Sequence, residues 1–224
     1  GAGHLMRALP NARLAVHPRG VPHMADPSKL WAGTVEVYGA ERAEAIYGIP
    51  VPVPADRIVP LPDGATLSLA GRTIEAIDAP GHARHHVVLR DHATGHLFAG
   101  DTFGISYREL DVDGRPFAFP SSTPVQFDPG ALRATLRRML ALEPGAIYLT
   151  HWSRVDDVQR LGATLLRLVD RYEAIGREAL AAHGDDPARL QAAVEPAIDA
   201  LLLGEIAAHG CTLAPDAVRA LLAI

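Results

Sequence analysis

The spacing of apolar residues divides the chain into stretches of different period. The opening "GAGHLMRALPN" has helical spacing and stops at Pro10 and Asn11, and "ARLAVH" after it reads as a short buried strand. "DPSKLWAGTVEVYGAERAEAIYG" is helical again, with Asp26 as N-cap, Pro27 at the first helical position and Gly48 as the stop. From Val51 prolines and Gly-containing turns separate short β-rich runs at Asp56–Leu61, Ala65–Leu69 and Arg72–Asp78. Two further strands, "HHVVLRD" and "HLFAGD", are joined by "HATG", which has the length and glycine of a hairpin loop.

A loop rich in Pro and Phe, "GRPFAFPSSTPVQFDPG", leads into the helix "PGALRATLRRMLALEPG" and then the buried strand "AIYLTH". Beyond Val155 the pattern is helical throughout. Val158, Leu161, Leu165, Leu168, Tyr172 and Ile175 recur at three- and four-residue steps, and Leu190, Val194, Ile198, Leu201 and Leu202 repeat the pattern. Asp186 and Pro187 start that second helix, and Thr212 to Asp216 start a third. These stretches predict an α/β body over residues 1–154 and a helical C-terminal region over 155–224.

With 224 residues and 48% apolar content the chain can bury a sizeable core. Its formal charge of −5 is spread along the sequence, so nothing marks a nucleic-acid or membrane partner. The lone Cys211 excludes an internal disulfide framework and suggests a reducing, cytoplasmic compartment. "GxSxG" is absent and Cys211 lacks a His-Asp arrangement, which disfavours a serine or cysteine nucleophile.

Candidate chemistry lies in the histidines. A metal needs donors that converge, and side chains at the ends of adjacent strands can do so on a rigid backbone. His82 follows the turn "APG" after a strand, Asp101 ends "HLFAGD" and His151 ends "AIYLTH". This trio is expected to meet as metal ligands, with Asp101 also holding the catalytic role. His86, at the mouth of the next strand, is expected beside the ligands or in contact with substrate. His92 and His96 flank the hairpin and are expected in solvent. His17 and His23 are expected in structural or solvated roles, and His4, His183 and His209 in none of the chemistry.

"APGHARHHVVL", "LFAGD" and "IYLTH", in that order, resemble the metallo-β-lactamase fold hydrolases, and among them the broad glyoxalase-II-like branch. The resemblance covers about residues 1–154. It implies that this stretch is part of a four-layer αββα sandwich followed by the helical appendage. It implies further that His82 is the third histidine ligand of a first metal, Asp101 the carboxylate bridging two metals, and His151 the last ligand of the second. Zinc is the metal expected, with iron or manganese as alternatives. The family's His-x-His-x-Asp-His motif is absent from these residues. Two expectations account for that: the natural protein continues upstream with the motif and a first sheet, or the chain has lost the bimetal site and serves as a non-catalytic binding or dimerisation module. The family's C-terminal helices close over substrate or build a dimer, so a homodimer is expected here.

The expected reaction is hydrolysis of a small, partly apolar ester, thioester or lactone by a metal-bound hydroxide. The loop from Tyr107 to Phe127 follows Asp101. Its aromatics, Tyr107 first among them, either wall an apolar substrate pocket or pin the loop to the body.

Overall fold

The computed structural model of the chain describes residues 1–121 and 127–222. The N-terminal part is built from α1 (Ala2–Ala8), β1 (Leu14–Val16), α2 (Val21–Ala25), α3 (Ser28–Tyr38), α4 (Ala40–Tyr47) and β2 (Ile58–Pro60). β1 and β2 pair in parallel as a separate two-stranded sheet. Met6, Val53 and Ile58 form its small core, and the Arg57 guanidinium ties it together by donating to the carbonyls of Met6, Leu9 and Ala12.

Two sequence expectations change here. The helical stretch expected from Asp26 to Gly48 forms two short helices that meet at Gly39, whose φ of +77° ends α3 and starts α4. The N-cap position falls to Pro27, although the Asp26 carboxylate still accepts from the Ser28 N–H at 3.0 Å. The strand expected over Asp56–Leu61 is shortened to β2 because Ala55–Arg57 turn as a 3₁₀ helix.

The main sheet has six strands in sequence order: β3 (Thr66–Leu69), β4 (Arg72–Asp78), β5 (Val87–Asp91), β6 (Leu97–Gly100), β7 (Ile147–Leu149) and β8 (Arg154–Val155). Neighbours are antiparallel except β6 and β7, which run parallel across the crossover helix α5 (Pro129–Ala141). Asp128 caps α5 by accepting from the Ala131 N–H at 2.9 Å, and Pro129 occupies its first turn.

One face of this sheet carries the core. Ile77, Val88, Leu97, Ala99, Ile147 and Leu149 meet Leu132, Leu136 and Met139 of α5 and Val158, Leu161, Leu165 and Val169 of α6 (Val158–His183). On the opposite face Phe98 and Tyr148 stack, with ring centroids 4.8 Å apart. The chain is thus a mixed α/β unit with a C-terminal helical region.

The first half of α6 shares the sheet's core, while its Leu168 and Tyr172 belong to a second cluster with Leu202 and Ile206 of α7 (Pro187–His209) and Val218 of α8 (Pro215–Leu222). Tyr107, Leu110, Phe117 and Phe119 of the loop after β6 complete that cluster. The buried aromatics therefore pin this loop onto the helices; residues 122–126 of it lie outside the described residues. Among the described residues no helix is long and apolar enough to cross a membrane.

Candidate metal centre

Asp101 sits where β6 is made irregular. The parallel register with β7 shifts between Phe98 and Gly100, an irregularity of the kind that re-aims the side chain after it. Gly100 has a φ of +54°, and a Cβ placed on it would stand 2.5 Å from Cε1 and 2.6 Å from Nε2 of His86. The missing side chain lets the His86 ring close against the backbone. There the Asp101 N–H donates to His86 Nε2 at 3.1 Å, so Nδ1 carries the ring proton and donates to Thr102 Oγ1 at 2.8 Å.

Both nitrogens of His86 are thus used inside the protein, and its ring supports the Asp101 backbone, beside the candidate ligands. Burial, with His82 beside it, pulls the imidazole pKa down to about 4, which keeps the ring neutral as those hydrogen bonds require.

His82 is held from the other side. Its loop is clamped to α5 by the Asp128 N–H donating to the Gly81 carbonyl at 2.8 Å and by Thr135 Oγ1 donating to the Pro80 carbonyl at 2.7 Å. Gly81, with a φ of +136°, lets α5 approach: a Cβ there would lie 2.4 Å from Leu132 Cα. His82 Nδ1 faces the Ser121 carbonyl at 3.3 Å, the kind of partner that turns Nε2 toward a metal. Nε2 lies 3.5 Å from Asp101 Oδ2. His151, at the tip of the β7–β8 hairpin and about half exposed, places its Nε2 3.3 Å from Asp101 Oδ1. That oxygen is buried and, among the described residues, makes no hydrogen bond.

The three residues expected to meet are therefore together, with one imidazole at each oxygen of one carboxylate. An imidazole nitrogen about 2.0–2.1 Å and a carboxylate oxygen about 2.0–2.2 Å from a tetrahedral ion are about 3.3–3.5 Å apart, a range that includes both separations. The donor types fit borderline metals such as zinc. Their number does not complete a site: each oxygen has one imidazole beside it, and among the described residues no group of three or more His, Cys, Asp or Glu is arranged around one ion.

The other candidates stand apart from this centre. Tyr107 is 5% exposed and packs on Phe119, so its ring is chiefly structural, with one side lining a depression beside His151. His92 pairs with Glu75 at 2.8 Å on the surface. His96 lies beside Tyr148 with its ring tilted at 50°, and His4 and His209 bond to the carbonyls of Ile49 and Arg115. Buried His17 accepts from the Arg19 N–H through Nδ1 and meets Asp78 Oδ1 through Nε2 at 3.1 Å, joining the small sheet to the end of β4.

Sequence reasoning overlooked Gly81 and Gly100. Each directly precedes a candidate ligand, and a Gly-ligand pair after a strand was the available signal. It also overlooked Trp152 and Ser153. They follow His151 with φ values of +76° and +68°, a conformation costing about 1–2 kcal/mol for an L residue. No residue type announces such a turn.

The sequence pattern of the metallo-beta-lactamase superfamily matches residues 1–151, and the chain belongs to that superfamily. Among solved structures it is similar to an archaeal metallo-beta-lactamase superfamily protein from Sulfolobus tokodaii. The two share 22% identity over 73% of this chain and 60% of that one, with a TM-score of 0.58. It is also similar to a metallo-beta-lactamase family protein from Thermus thermophilus, at 19% identity over 92% of this chain and 70% of that one, with a TM-score of 0.55. The chain thus spans less than two thirds of the archaeal protein's length, and both likenesses are of fold. No curated protein matches the sequence.

Proposed function

We propose that this chain carries part of the metal centre of a metal-dependent hydrolase acting on a small, partly apolar ester, thioester or lactone. The observation that carries the reading is the division of Asp101 between His82 and His151, 3.5 and 3.3 Å away on separate oxygens. Superfamily membership supports a metal-dependent hydrolase in general terms.

In this reading His82, Asp101 and His151 hold two divalent ions, zinc first and iron or manganese as alternatives, together with donors beyond these three. Such ions, when bound, supply Lewis acidity and a water of lowered pKa. The chain's own residues do the positioning. One oxygen of Asp101 faces His82 and the other His151, the Asp101 N–H is fixed by donating to His86, and the Ser121 carbonyl orients the His82 ring. A homodimer belongs to this reading, and the lone Cys211 suits a cytoplasmic setting.

A second reading, a non-catalytic binding or dimerisation module of the same fold, draws support from the incomplete donor count at each oxygen of Asp101. Elemental analysis of the protein in its natural length separates the two, with wild type compared to Asp101→Asn and p-nitrophenyl acetate as test ester. The hydrolase reading expects bound transition metal and ester cleavage, both lost in Asp101→Asn. A metal-free protein, or cleavage indifferent to Asp101→Asn, would overturn it in favour of the module.

A further inference from the structure

The turn after His151 holds two consecutive non-glycine residues, Trp152 and Ser153, in the left-handed region. L side chains avoid that region, and outliers persist where the surroundings enforce them, often at binding sites. Here the Leu149 N–H donates to the Ser153 carbonyl at 2.9 Å and the Ser106 N–H to the His151 carbonyl at 3.2 Å, which closes the hairpin tip. The turn leaves the Trp152 indole 56% exposed, its centroid 6.4 Å from the buried Tyr107 ring and inclined at 56° to it. A large aromatic kept in water at a strained position asks for an occupant.

Tyr107, Thr150, His151, Trp152 and Ser153 line an open depression of about 340 Å³. Its inner end is His151, whose Nε2 reaches Asp101. The arginines that flank the aromatic pair in sequence are committed elsewhere. Arg108 pairs with Asp111 at 3.2 Å and donates to the Arg154 carbonyl at 2.8 Å, and Arg154 pairs with Asp156 at 2.8 Å. Past His151 the walls are the Trp152 ring and one side of Tyr107 with the small, uncharged Thr150 and Ser153, which favour a neutral, partly apolar group over an anionic one.

We propose that this depression is a substrate subsite in which Trp152 forms the platform for the apolar acyl or aryl part of a neutral ester-like molecule. The cleavable group then lies beside His151 and Asp101. The subsite rests on the hydrolase reading for its position in a reaction, and its binding can be read without any reaction.

Trp31→Phe leaves Trp152 as the sole tryptophan, and 1-naphthalenemethanol, neutral and without a cleavable bond, is titrated against that protein. A saturable change of Trp152 emission is expected, with naphthalene-1-sulfonate binding more weakly. In parallel, wild type, Trp152→Phe and Trp152→Ala are compared on p-nitrophenyl acetate and p-nitrophenyl hexanoate. Trp152→Ala should raise KM for the hexanoate on the order of tenfold, with the acetate changed less than about twofold and most of the loss restored in Trp152→Phe. A silent Trp152, or equal effects on the two esters, overturns the subsite while ester cleavage keeps the hydrolase reading. A responsive Trp152 in a protein that cleaves neither ester keeps the subsite as a binding site and overturns the hydrolase reading.

Discussion

Replacing Gly100 by alanine tests how Asp101 is held. An L residue at a φ of +54° costs about 1–2 kcal/mol, offset by about 0.4–1 kcal/mol from the stiffer unfolded chain. The new Cβ also meets the His86 ring at 2.5 Å, so the ring must move and release the Asp101 N–H. Losing that bond costs about 0.5–1.5 kcal/mol more. Gly114 is the control, since its φ is +73° and a Cβ there meets nothing within 4 Å. In urea unfolding at pH 7, Gly100→Ala should therefore lose about 1 kcal/mol more than Gly114→Ala, with similar m-values. The excess should vanish when both changes are made in a His86→Ala background, because the ring is then gone. Equal losses for the two glycines in the wild-type background would refute the account.

The other expectations follow from burial and charge. Leu161→Ala, at a position fully buried between sheet and helices, should cost about 2–5 kcal/mol in urea, whereas exposed Leu180→Ala should stay within about 0.5 kcal/mol. The Asp91 carboxylate is held down from 3.8 to about 2, first by Arg72 and then by Thr94. Its contribution to stability is therefore complete above pH 3.8 and is lost as pH falls toward 2. Acid titration monitored by circular dichroism should show Asp91→Asn with a shallower loss of stability in that window. His86→Ala should lower the affinity for divalent metal about 10–100-fold in calorimetric titration of the natural-length protein, with the fold retained.

The candidate site was legible because its members end strands. His82, Asp101 and His151 could be placed at one sheet edge from strand pattern alone, and the register then brings them within ion-pair distance. His86 was expected beside the ligands or in contact with substrate; its place on a strand was readable, but the hydrogen bonds of its ring to the Asp101 N–H and Thr102 were not. The apolar stripe of α6 was equally plain, but a stripe does not say what covers it: Leu161 and Leu165 face the sheet, while Leu168 and Tyr172 face the later helices. The break at Gly39 was available as a glycine inside a helical pattern. The β1–β2 pairing, distant in sequence and only three residues long, offered no periodic signal.

The parallel pairing of β6 with β7 also sets an order of events during folding. β3 to β6 are linked by antiparallel pairings and close local turns, so they can bring His82 and Asp101 near each other early. His151 arrives only after the crossover through α5 closes, and the chain entropy of that loop must be spent before the contact forms. A refolding probe attached near His151 should therefore lag one attached near His82, and the two sides of Asp101 come into being at different times.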